Sequence, residues 1–126
     1  MKRSAALQPL SREHHTALTL AKTCEQAAQS GDEALVNETC ERVIEAFFDE
    51  LEPHFCFEEQ SLLPLLHNPE NLPLAQRALA EHQHLRVLLD GLRRNDTGAL
   101  GNFGKCLSAH VRFEERELFP VLESLL

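Results

Sequence analysis

The chain has 126 residues, 43% of them apolar, with a formal net charge of -8. That is enough apolar material for one domain with a core of its own, and the domain is expected to span residues 1–126. The acidic balance argues against nucleic acid and against an anionic membrane surface as partners, no apolar run approaches the roughly 20 residues of a membrane span, and the first residues lack the apolar stretch of a signal peptide. A cytoplasmic location is the resulting expectation.

The spacing of apolar residues is helical from end to end. A first helix is expected from Ser11, a good N-cap after Pro9, along a stripe of Leu10, His14, Ala17, Leu18, Ala21 and Ala28. Gln29-Ser30-Gly31-Asp32 interrupts it. A second helix should run from about Asp32 to Leu66 through Leu35, Val43, Phe47, Phe48, Leu51, Phe55 and Leu62. Pro53 lies inside it and crowds the carbonyl of Asp49, which predicts a kink or two abutting helices. After a loop with Pro69 and Pro73, a third helix is expected to Arg94 through Leu79, His82, Leu85, Leu89 and Leu92. Asn95-Asp96-Thr97-Gly98 ends it, and a fourth helix should run from Ala99 past Phe119, weak at first because of Gly101 and Gly104. Four helices on short connections predict an all-α, antiparallel up-down-up-down four-helix bundle.

Two segments of this chain repeat. Residues 54–66 read HFCFEEQSLLPLL and residues 110–122 read HVRFEERELFPVL, identical at seven of thirteen positions. Each copy is preceded by a Glu-His dipeptide, Glu13-His14 and Glu81-His82. In a helix, residues four apart share a face, so His54 with Glu58 and His110 with Glu114 can each aim at one point. Two such pairs and one histidine from each of the other helices make four nitrogens and two carboxylates. That is too many for one tetrahedral zinc and suits two first-row ions of the iron or manganese kind. Carboxylates set among Phe57, Leu62, Phe113 and Leu118 are costly to bury without a partner, and a pair of dications supplies one. The histidine precedes the carboxylate by four, unlike the Glu-x-x-His of ferritin-like bundles.

On the first helix, His14 and His15 both remain candidates; His14 is preferred because its face continues through Ala17, Leu18 and Ala21. Glu59 and Glu115 are expected to turn away from the ions, as a solvated pair or as support behind the ligands; His67 is expected to face the carboxyl-end dipole of the second helix, and His84 to be solvated. Cys24, Cys40, Cys56 and Cys106 form no C-x-x-C pair and are expected to be free thiols.

These elements resemble the hemerythrin-like HHE cation-binding family. The resemblance rests on Glu13-His14, on H-F-x-x-E-E…L-x-P from His54, on Glu81-His82-x-x-Leu85 and on H-x-x-x-E-E…L-F-P from His110. It implies a four-helix bundle holding two iron ions, bridged by oxo or hydroxo groups and by carboxylates; manganese or zinc are the alternatives. By resemblance Glu58 and Glu114 are the bridges, and His54, His82, His110 and a histidine of the first helix are terminal ligands. The oxygen-carrying hemerythrins have a further histidine four residues past the third-helix ligand; here that residue is Arg86. This favours reaction with, or sensing of, oxygen, nitric oxide or peroxide over simple oxygen storage. An enzyme-like removal of peroxide or nitric oxide and a metal-free or zinc-bound interaction bundle are the competing readings. A sensor of this size would signal through a homodimer or a partner protein.

Overall fold

The computed structural model describes residues 3–126, and every described element is helical. The first rod is α1 (Gln8–Gln29). The second is α2 (Glu33–Ala46), a π turn over Phe47–Leu51, α3 (Glu52–Phe57), a second π turn over Glu58–Leu62 and a 3-10 turn over Leu63–Leu65. The third is α4 (Leu72–Arg93); the fourth is α5 (Thr97–Phe113), a π turn over Glu114–Leu118 and α6 (Phe119–Leu125). None of the described helices is long and apolar enough to cross a membrane.

The helix ends follow local chemistry, with two departures from expectation. Ser11 is not the first cap: α1 starts at Gln8 and takes Pro9 into its first turn, where a missing N–H costs nothing. Gly31 turns the chain at φ 71°, and Asp32 caps α2 by accepting from the Leu35 N–H at 3.1 Å. The fourth rod starts two residues earlier than expected, because Asp96 caps it by accepting from Gly98 and Ala99. At Pro53 the second rod is two abutting helices, α2 and α3, as expected. The turn before the proline widens, and the Glu52 N–H donates to the Phe47 carbonyl five residues back. Pro64 and Pro120 repeat the device: Leu63 donates to Glu58 and Phe119 donates to Glu114. Each proline thus follows a π turn whose last donor is the residue just before the ring, so the rod continues past the lost hydrogen bond.

Contacts between neighbouring rods run in opposite chain order. Ala28 faces Gly101 and Ala21 faces Gly104, while His14 meets Glu114. Arg93 lies over Phe48, and Arg86 pairs with Glu52. Gly91 faces Ala99, and Arg77 lies over Phe113. This is compatible with up-down-up-down order. Gly104 permits a close crossing of the first and fourth rods, since a Cβ there would sit 2.6 Å from the Ala21 carbonyl oxygen.

The core is split in two. One cluster joins Ala17, Ala21, Cys24, Val43, Phe47, Leu85, Leu92, Phe103 and Leu107. The other joins Leu7, Leu10, Leu62, Leu66, Ala78, Phe113, Leu118 and Phe119. Between them lies a layer of buried polar residues: His14, His54, Glu58, His82, His110 and Glu114. Leu35, Phe48 and Leu79, expected on apolar stripes, are exposed, and so is Phe57, which leaves Phe55 and Leu62 as the apolar frame of Glu58. All four cysteines are free, and Cys24 and Cys40 are buried.

Candidate metal centre

Each rod delivers its polar residues to the layer between the two cores. His14 comes from α1 and His82 from α4. The other four come from the repeat, whose spacing stacks His54 over Glu58 and His110 over Glu114 one turn apart. Both glutamates are completely buried, and both open a π turn.

The Nε2 atoms of all four histidines face these two carboxylates. His14 Nε2 lies 2.9 Å from Glu114 Oε1, and His54 Nε2 lies 3.1 Å from Glu58 Oε2 and 3.8 Å from Glu114 Oε1. On the other side, His82 Nε2 lies 3.0 Å from Glu58 Oε1 and 3.7 Å from Glu114 Oε2, and His110 Nε2 lies 3.1 Å from Glu114 Oε2. Two groups of four result, His14–His54–Glu58–Glu114 and Glu58–His82–His110–Glu114, each with ligand atoms within 4.8 Å of one another. The two glutamates belong to both groups.

His15 is not part of this layer. It lies on the exposed side of α1, one residue (about 100°) round from His14. His67 and His84 are exposed as well.

Four further glutamates complete the arrangement. Glu13 accepts from His54 Nδ1 at 2.8 Å, Glu59 from His82 Nδ1 at 2.7 Å, Glu81 from His110 Nδ1 at 2.7 Å and Glu115 from His14 Nδ1 at 2.5 Å. Glu59 and Glu115 lie outside both groups of candidate ligands, as expected, but they are not solvated on their own. They do turn from the histidine of their own rod, but each reaches the histidine of a neighbouring rod. The bonds form a closed ring: first rod to second, second to third, third to fourth, fourth to first. The signal was present in the sequence as four doublets, Glu13-His14, Glu58-Glu59, Glu81-His82 and Glu114-Glu115, in each of which one member faces the centre and the adjoining glutamate reaches the next rod.

Three of the four glutamates are pinned by arginine. Arg3 Nη2 lies 3.2 Å from Glu115 Oε1, and the Ser11 hydroxyl donates to Glu115 Oε2 at 2.8 Å. Arg77 holds Glu81 at 3.0 Å and Arg86 holds Glu59 at 2.9 Å. Arg86 also grips Glu52, so it lies behind His82, on its Nδ1 side. Glu13 has no basic partner among the described residues, and its side chain is 56% exposed. Rings support the imidazoles: Phe55 stacks on His82 at 4.1 Å and Phe119 on His14 at 5.1 Å.

The residues fit a pair of cations. Glu58 Oε1, Glu114 Oε2, His82 Nε2 and His110 Nε2 are buried and make no hydrogen bond, although partners lie within about 3 Å. Four orphaned atoms converging in one layer are what a metal would satisfy and a hydrogen-bond network would not leave. With each Nδ1–H donating to a glutamate, each Nε2 lone pair is free to ligate. Without cations the imidazoles hold protons instead. Burial lowers the basicity of His54, but Glu114 and Glu58 raise it to about 11; burial likewise opposes Glu114, Glu81 and Glu58 at His110, which rises to about 10. Burial opposes the ionised form of Glu114, yet His110, His14 and His54 hold it well below its ordinary value. Glu58, buried beside ionised Glu114, is pushed up.

A cavity of about 170 Å³ opens between the first and second rods. It runs from Glu13, Asp49 and Glu50 inward to His14, His54 and His110. The family model described as Hemerythrin HHE cation binding domain matches residues 5–122. No curated protein and no solved structure matches the chain.

Proposed function

The chain belongs to the hemerythrin HHE cation-binding family, and from that premise we propose that it holds two iron ions and binds or senses oxygen, nitric oxide or peroxide on them. The observation that carries this reading is the sharing of Glu58 and Glu114 between two four-residue groups. His14 and His54 would hold one ion, His82 and His110 the other, and the two carboxylates would span both. Four nitrogens and two carboxylates leave each ion short of six donors, and an iron pair so bound supplies redox capacity and open positions for small oxidants. The chain's own residues do the rest. The ring of glutamates fixes the tautomer of every histidine and aims its Nε2 inward. The two apolar clusters pack the layer from both ends. The cavity of about 170 Å³ gives an approach on the His14–His54 side with room for a molecule of a few atoms.

The test is metal analysis with an optical spectrum after anaerobic ferrous loading and exposure to air. Two iron equivalents and a visible charge-transfer band are expected, and nitric oxide or peroxide should change that band. A metal content near zero, or no band at full loading, would refute the reading.

A further inference from the structure

The four corners of the centre are not alike. At three of them the glutamate behind the histidine is tied down: Glu115 by Arg3 and Ser11, Glu81 by Arg77, Glu59 by Arg86. At the fourth, Glu13 behind His54 has no basic partner among the described residues and is the most exposed of the four. This loose corner is also where the cavity opens. Its rim carries Glu13 with Asp49 and Glu50, both exposed and both on the π turn ahead of Pro53. Its floor is formed by His14, His54 and His110, and His110 Nε2 is buried without a hydrogen-bond partner. His82 and Glu58 do not line it, and His82 is completely buried. An acidic mouth above buried histidines, one with an unpartnered ring nitrogen, suits a cation, because carboxylates concentrate cations at the rim and low-dielectric walls focus their field inward.

We propose that this cleft is the route by which a divalent cation reaches and leaves the centre, and that the ion on the His14–His54 side exchanges ahead of its neighbour. The inference rests on the two-metal reading above and adds a direction to it. The cation arrives past Asp49 and Glu50, meets Glu13 and His54 at the corner free to move, and passes inward to the His110 side. The second ion would lie behind Phe55, which stacks on the completely buried His82, and beside the Arg86 clamp.

The test uses the apoprotein and Co(II) as the probe. Uptake is followed by stopped-flow absorption, stoichiometry by equilibrium titration, and release by a chase with EDTA. Asp49→Asn with Glu50→Gln should reach wild-type stoichiometry while loading about three- to tenfold more slowly, with a weaker dependence on salt. Glu38→Gln with Glu41→Gln removes the same charge elsewhere on the second rod and should load at the wild-type rate. Thr16→Trp, at the exposed mouth, should slow both loading and the faster phase of release. His14→Ala should lose that faster phase, and His82→Ala should retain it. Wild-type rates in both rim variants at full stoichiometry would overturn the route alone, as would equal slowing in the control pair. Failure of the unaltered protein to bind cobalt would overturn the metal centre and the route together.

Discussion

Replacing Glu59 by alanine removes one link of the ring without touching any residue that faces the metals. In the structure Glu59 accepts from His82 Nδ1 at 2.7 Å and from Arg86 at 2.9 Å, and its side chain is 23% exposed. His82 itself is completely buried. The substitution therefore leaves an N–H in a dry place with no acceptor and frees the ring to rotate. A lost partner of this kind costs about 10- to 100-fold in metal affinity, or about 1.4–2.7 kcal/mol, and burial places Glu59 toward the upper end. In the apoprotein the stranded donor should cost about 1–3 kcal/mol of stability. Glu13 makes the same bond to His54 at 2.8 Å, but at 56% exposure water can take its place. Glu13→Ala should therefore lose less than about tenfold in affinity and less than about 1 kcal/mol of stability. Glu59→Gln keeps an acceptor but not the charge and should fall between Glu59→Ala and the wild type. Competition with a chelator of known affinity measures the first quantity, and urea unfolding of the metal-free protein the second. If Glu59→Ala binds within about twofold of wild type, or Glu13→Ala loses more, the ring does not orient the ligands as argued.

His14→Ala should abolish binding of one ion, whereas His15→Ala, altering an exposed side chain, should leave stoichiometry and spectrum as they are; the opposite ranking would move the first-rod ligand. The metal-free protein should lose stability as pH rises above about 6.5. His54 and His110 are raised to about 11 and about 10 in the fold, so their contribution is complete below the unfolded value of 6.5 and is lost on passing through the folded values. The unfolding free energy from urea titration should thus fall by at least about 1 kcal/mol between about pH 6 and about pH 10, and a flat or rising profile would contradict the proton-filled centre. Gly104→Ala should destabilise by about 1–3 kcal/mol in thermal unfolding, since its Cβ would meet the Ala21 carbonyl oxygen at 2.6 Å and backbone cannot rotate away.

The repeat made the fold and the inward-facing residues legible, because a spacing of four on a helix is a statement about direction. His54, Glu58, His110 and Glu114 meet for that reason. What spacing along one helix does not contain is what the neighbouring rod offers. Glu59 and Glu115 were read against their own histidines, from which they do turn away, although their partners are His82 and His14 on other rods. Arg86 was read as a vacancy at the metal, but its reach to Glu52 and Glu59 depends on the distance between the second and third rods. Pro53 predicted the junction of two helices, but not the widened turn before it. Phe57 and Phe113 occupy matching places in the repeat, yet one is 47% exposed and the other 2%, since only the second packs into the cluster with Leu10, Leu118 and Phe119.

The ring of cross-rod bonds also has a rotational sense, and the order of residues in each doublet encodes it. Successive residues of a right-handed helix step round its axis by about 100°. The step is anticlockwise when the helix runs toward an observer and clockwise when it runs away. For every rod to reach its clockwise neighbour, the outward glutamate must precede the inward residue in rods of one direction and follow it in rods of the other. That alternation is what the chain carries: Glu13 before His14, Glu59 after Glu58, Glu81 before His82, Glu115 after Glu114. The apolar stripes would tolerate a bundle wound either way, but in the mirror arrangement each carboxylate would face a rod whose imidazole is already turned from it. Four dipeptides thus choose between two windings of the same four rods, and exchanging the order within one of them, as in Glu13→His with His14→Glu, would set that rod against the other three.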